Sequence, residues 1–223
     1  MERPSVTLCY TQTLDGRLAT AAGLSQWIGG GESLRFAHAL RAQHDAILAG
    51  VGTVCADNPR LTVRHVAGRD PLRVVVDSAL RTPLTAAVLA GGAAAGTLLA
   101  VTERAAPDRR AAAEALGATV LALPSSADGR VDLAALLAAL WRRGVESLMV
   151  EGGAAIITSL LRGRLVDRMA VCVAPRVMGA GIEAVGDLGI RRLAEMPALV
   201  DVQLHQFGAD VVFDGRVAYS DGS

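Results

Sequence analysis

Glu151 is followed at once by Gly152-Gly153-Ala154-Ala155-Ile156, and this stretch carries the first hint of chemistry. Ahead of it, Ser147-Leu148-Met149-Val150 is a short apolar run, the pattern of a buried strand. Behind it, Ala155 to Leu161 reads as an apolar helix start. Glycines at a strand-to-helix junction let another group come close to the backbone. The first N–H groups of a helix lack intrahelical partners, and the helix dipole is positive there. The junction therefore suits a phosphate or pyrophosphate, with the Glu151 carboxylate facing the same crevice. Taken alone, it is neither a dinucleotide fingerprint nor a P-loop, and Gly-Gly is also ordinary turn chemistry.

The elements that must position this junction alternate along the chain. Val6 to Gln12 is a β-rich run closed by Leu14-Asp15-Gly16, a turn signal. Glu32 to His44 has helical spacing, and Ala46 to Gly52 reads as a buried strand running into glycines. Asp57-Asn58-Pro59-Arg60 is a turn. Leu72 to Asp77, Thr97 to Thr102 and Thr119 to Leu123 follow as strands, with an Ala-rich helix over Asp108 to Leu116. Asp132 caps a helix whose Leu133, Leu136, Leu137, Leu140 and Trp141 form one stripe. After Val166 the pattern turns strand-rich, and Val211 to Tyr219 predicts a hairpin with Asp214-Gly215 at its turn. The expected fold is one α/β domain over residues 1–223. A mostly parallel mixed sheet sits between helical layers, with an antiparallel hairpin at the C-terminal edge. Ligands of such sheets bind beyond the carboxyl ends of the strands, where Thr11, Gly50 to Thr53, Asp77-Ser78 and Glu151-Gly152-Gly153 all fall.

Composition narrows the classes. Hydrophobic residues are 52% but aromatics only 3%, so the core is built from Ala, Val and Leu. With 22 basic and 22 acidic residues the formal net charge is +0, which offers no field for nucleic acid or an anionic membrane. Cys9, Cys55 and Cys172 are odd in number and scattered, which points to a reducing, cytoplasmic setting without disulfides. The first residues lack the build of a signal peptide, and no stretch is long and apolar enough to span a membrane. His38, His44, His65 and His205 have no metal-ligand spacing, so no metal is expected; they read as surface or capping histidines.

Three segments together resemble one family. They are Thr13-Leu14-Asp15-Gly16-Arg17 with Ser25-Gln26-Trp27-Ile28, then Arg41 to Val54 running on through Asp57-Asn58-Pro59-Arg60-Leu61-Thr62-Val63-Arg64, and Val150-Glu151-Gly152-Gly153. The chain resembles, from about Val6 to Leu204, the reductase domain of the bifunctional riboflavin-biosynthesis deaminase/reductase and its stand-alone pyrimidine-reductase relatives. The resemblance implies a dihydrofolate-reductase-like fold, NADPH as cofactor and a homodimer. It also implies reduction of the ribosyl group of a ribosylamino-pyrimidine 5′-phosphate to a ribityl chain, an oxidoreductase acting on CH–OH donors. By resemblance Thr11, Trp27, Thr53, Asp57, Ser78 and the run Gly153 to Ser159, with Gly152 beside it, contact NADPH. Ser25, Arg41, Leu61, Arg64 and Glu151 contact the substrate. Glu151 and Asp57 are the carboxyls in range of the reacting centre. Arg41 and Arg64 suit the substrate phosphate, because a guanidinium forks onto its oxygens. Arg81 and Arg104 follow strand ends near Ser78, where a 2′-phosphate would sit.

The match departs from the family in two ways. The zinc deaminase signature is missing, so a reductase alone is expected. The bifunctional enzymes usually carry lysine in the first strand, facing the pyrimidine, where this chain has Cys9. That leaves open whether the diamino or the deaminated pyrimidine is reduced. Two other functions remain open: a reductase of a pterin or another pyrimidinone on the same fold, and a non-catalytic nucleotide-binding protein.

Overall fold

The structure is a computed structural model and describes residues 2–26 and 28–220; Trp27 lies outside them. Strand β1 (Ser5–Thr13) is followed by a short β2 (Arg17–Thr20) and by helix α1 (Gly31–Gln43). Strand β3 (Ala46–Gly50) passes directly into helix α2 (Val51–Asp57). Next come β4 (Leu72–Val76), β5 (Thr97–Val101), α3 (Pro107–Ala115), β6 (Thr119–Ala122) and α4 (Leu133–Trp141). Strand β7 (Ser147–Val150) leads into α5 (Ala154–Arg162), and β8 (Arg168–Ala174), β9 (Gly181–Glu183), β10 (Ala198–Phe207) and β11 (Asp210–Ala218) complete the order.

Nine strands form one sheet in the order β10-β11-β8-β1-β7-β3-β4-β5-β6. From β8 to β6 the neighbours run parallel; β11 and β10 are antiparallel at one edge. Side chains alternate between the faces of a strand, and two cores follow from that parity. Leu8, Leu48, Val74, Leu98 and Leu148 pack beneath Leu136, Leu137 and Leu140 of α4 and Ile157, Leu160 and Leu161 of α5. Ile47, Ala49, Val75, Leu99 and Val101 face Val54 of α2 and Ala113 of α3. On that same face Cys9, Met149 and Cys172 lie under Phe36 and Leu40 of α1. The result is the expected sheet between two helical layers. The Asp132 cap is present, its side chain accepting from Ala135 N.

Three expectations are corrected. The strand expected to run through Gly52 ends at Gly50, and Val51 to Asp57 is helical. The hairpin turn lies at Gly208-Ala209, because β10 ends at Phe207 and β11 starts at Asp210; Asp214-Gly215 sits inside β11. Asp214 is buried there by a two-pronged pair with Arg168 on β8, 2.7 and 2.6 Å. Gly215 admits the bulged partner strand, since a Cβ would stand 2.9 Å from Val200 O. Finally, His38 is not a surface histidine but completely buried. The small β2–β9 sheet was not anticipated, because its strands lie far apart in the chain.

Candidate active site

The strand order places β7 between β1 and β3, so three distant pieces of chain end side by side. Beyond their carboxyl ends lies one cleft of about 1320 Å³. Its walls include Thr11 from β1, Gly50 to Thr53 where β3 turns into α2, Asp77-Ser78 after β4, and Glu151 to Ile156 between β7 and α5. Ser25, Arg41, Asp57 and Leu61 complete the group foreseen from sequence. Three described residues so foreseen are not part of the cleft wall: Arg64 stands exposed on the adjoining loop, Ile157 is buried in the core, and Thr158 Oγ1 donates to Ala154 O.

The Arg41–Glu151 pair dominates one wall. Arg41 is on α1, Glu151 directly follows β7, and both side chains are largely buried. The guanidinium forks onto the carboxylate: Nε donates to Oε1, and Nη2 donates to Oε2 at 2.6 Å. Nη1 donates to Thr62 O at 2.8 Å. Most of the five guanidinium N–H donors are thus spent within the protein, and the planar fork meets Glu151 rather than open space. In the same cleft Ser25 Oγ donates to the Asp57 carboxylate, 3.0 Å from each oxygen. Asp57 is the last residue of α2, and Asn58 turns the chain away with φ 44°. Leu61 is buried in the wall with φ 52°, a left-handed backbone that leucine rarely adopts.

At the glycine junction Gly152 has φ 78° and Gly153 φ 88°. A Cβ on Gly153 would come 3.4 Å from Thr53 Oγ1, so the junction is a cradle that side-chain bulk would fill. The first amides of α5 open onto it. Further along, Ser78 Oγ accepts from Val131 N at 3.1 Å and ties the end of β4 to the 126–132 loop. Arg81, Arg104 and Arg130 line that end of the cleft. Arg104 also donates to Gly129 O at 3.2 Å. Asp77 braces the segment, accepting from Thr82 N and Thr82 Oγ1 at 2.6 and 2.7 Å.

Cys9 and Tyr10 also face the cleft. Burial pushes the Cys9 thiol up, and the nearby Glu151 adds to the effect, so it is neither a nucleophile nor a cation. Burial raises the Tyr10 hydroxyl to about 12. Sequence reasoning missed Leu18, Ala19 and Ile182, which reach the cleft only through the β2–β9 pairing. It also missed the 126–132 loop, whose Ser126-x-Asp128-Gly129 run was the available turn signal.

The sheet order and this cleft at the strand ends define a dihydrofolate-reductase-like α/β domain. Residues 4–213 match the RibD C-terminal domain, and the chain belongs to that family. It is 42% identical to a 2,5-diamino-6-ribosylamino-4(3H)-pyrimidinone 5′-phosphate reductase of Methanothermobacter thermautotrophicus, over 96% of this chain and 99% of that one. It is 38% identical to the riboflavin biosynthesis protein RibD of Aquifex aeolicus over 95% of this chain, but spans only 57% of that protein. Among solved structures, Acinetobacter baumannii RibD superposes with a TM-score of 0.81 at 28% identity, covering 97% of this chain and 58% of that one. The Saccharomyces cerevisia riboflavin biosynthesis reductase Rib7 gives 0.76 at 27% identity, covering 97% and 90%.

Proposed function

We propose that this chain reduces 2,5-diamino-6-ribosylamino-4(3H)-pyrimidinone 5′-phosphate to its ribityl product, with NADPH as reductant, in riboflavin biosynthesis. One observation carries the reading: a single cleft joins the glycine cradle at α5, the Ser78 end with its arginines, and two carboxylates held by Arg41 and Ser25. The near end-to-end likeness to a stand-alone reductase of that substrate supports it.

The residues present fit a dinucleotide. Gly153 leaves room against Thr53, α5 offers its free amides to the pyrophosphate, and Ser78 with Arg81 and Arg104 receives the adenosine end and its 2′-phosphate. When bound, NADPH supplies a hydride to C1′ of the opened ribosyl group, while the neighbouring nitrogen or oxygen takes up a proton. Arg41 fixes the Glu151 carboxylate, whose remaining lone pairs accept from the amino groups of the pyrimidine. Ser25 and Asp57 form the hydroxyl–carboxyl pair that passes the proton. Arg60 and Arg64 have no carboxylate ion pair among the described residues and receive the substrate phosphate at the rim. The chain acts as a homodimer, joined through the outer face of β10 and β11, where Val202, Leu204 and Phe213 are exposed.

The test is NADPH oxidation by the purified chain, followed optically, with the diamino and deaminated ribosylamino-pyrimidine phosphates offered separately. A higher kcat/KM for the diamino compound is the expected result. Preference for the deaminated compound would reverse the order of reduction and deamination. Binding of NADPH without turnover of either would remove the pathway assignment. Cofactor choice is checked separately: Arg81→Ala should raise the KM for NADPH about tenfold and leave that for NADH unchanged, as loss of one charge-assisted contact implies.

A further inference from the structure

We propose that His38 is a positioning residue for substrate binding, an acceptor inside α1 that holds the Leu61–His65 loop against the Arg41–Glu151 pair. The part about substrate rests on the function proposed above; the part about the loop rests on geometry alone.

His38 lies one helical turn before Arg41, so the two side chains leave α1 on the same side. The loop above them turns two backbone groups toward the helix, the Thr62 carbonyl and the Arg64 N–H. Both groups are read from the helix. Arg41 Nη1 donates to Thr62 O at 2.8 Å, and Arg64 N donates to His38 Nδ1 at 2.9 Å. A donor and an acceptor spaced by one turn thus capture the complementary pair on the loop, much as a neighbouring strand would. The captured residues follow directly on the left-handed Leu61 in the cleft wall and include Arg64, the rim cation.

The ring has no other polar duty. It is completely buried, and its second nitrogen stands 3.4 Å from Arg41 Nη1. Because Nδ1 accepts, the neutral ring carries its proton on Nε2, and this approach sets two donors side by side. The charged and titratable groups facing it are Arg41 on its own helix and Arg64 and His65 on the loop; the His65 ring meets it edge-on at 4.5 Å. Among the described residues none of the groups acting on the ring is a carboxylate that would favour an imidazolium. A histidine at this place serves as a neutral acceptor.

The experiment compares His38→Asn, whose amide oxygen can stand where Nδ1 stands, with His38→Gln, whose amide reaches the Nε2 position. Two readouts are taken on the full chain: amide hydrogen exchange over residues 61–66 without ligand, and steady-state kinetics with NADPH and the diamino pyrimidine phosphate. His38→Gln should speed exchange at Arg64 about tenfold and raise the pyrimidine KM about tenfold, with kcat and the NADPH KM within about twofold. His38→Asn should restore both. Unchanged exchange in His38→Gln, equal behaviour of the two variants, or a fall in kcat at constant KM would each overturn the proposal. A wild-type protein that reduces neither pyrimidine would defeat the functional reading alone, and the exchange data would still decide the role of His38.

Discussion

Arg41 shows how one contact redefines a residue. Its type and place suit a phosphate, yet its fork closes on Glu151, which itself lies at the mouth of the glycine cradle. Removing one partner of a buried pair leaves an uncompensated charge. Glu151→Gln should therefore destabilise the protein by about 3 kcal/mol, seen as a lower midpoint in urea with unchanged m, and should cut kcat/KM at least a hundredfold. His38 supplies the pH dependence. Burial first, then the nearby Arg41, Arg64 and His65, hold its ring at about 4, below the ordinary 6.5. Between those values the unfolded chain binds a proton that the folded chain does not. The contribution is therefore complete above about pH 6.5 and lost as the pH falls toward 4. Urea titrations of wild type and His38→Gln across that range should converge at low pH; parallel curves would show that His38 does not titrate this way.

At the scale of elements, the junction of β7 and α5 depends on backbone that other residues adopt with difficulty. Gly153 combines φ 88° with a Thr53 hydroxyl 3.4 Å from any added Cβ. Gly153→Ala should cost about 1–2 kcal/mol of stability. It should raise the KM for NADPH about tenfold and spare the KM for the pyrimidine, a split that steady-state kinetics and a thermal melt read together. If both KM values rose alike, the cradle would not belong to the cofactor. The α1 face and the α4 stripe make a contrast. The α4 stripe follows simple periodicity and packs as that periodicity demands, with Leu136, Leu137 and Leu140 buried. In α1 Phe36, Ala37 and Leu40 pack on the sheet as their helical spacing demands, but Ser33, His38 and Arg41 are buried as well, and no apolar spacing announces those.

The sheet ends in two edge strands, the four-residue β6 and the much longer β10. Strand β10 is ten residues long, pairs only with β11 among the described strands, and keeps Leu204 64% exposed. Exposed apolar side chains on so long an edge strand invite association unless they are covered, and in the proposed dimer a second copy covers this face of β10 and β11. Light scattering after gel filtration should give twice the 23.0 kDa chain mass. Leu204→Lys should shift it toward the monomer and leave the cleft chemistry of isolated chains in place. A wild-type mass of one chain would dismiss the interface.

Most of the strands and helices were legible from the residues alone, because hydrophobic period, glycine and proline breaks and the Asp132 cap are local signals. Many of the residues around the cleft, from Thr11 to Ile156, were legible too, since strand ends and the three matching segments can be read along the chain; Leu18, Ala19, Ile182 and the 126–132 loop were not. The tertiary structure alone decided the rest. Insertion of β7 between β1 and β3, the β2–β9 pair, and Asp214-Gly215 inside a strand all come from pairing between distant segments. The inward turn of Arg41 and the burial of His38 were decided the same way, by a carboxylate and a loop that fold over α1 from elsewhere. Local sequence sets what an element is; which polar groups it must satisfy is set by whatever packs against it.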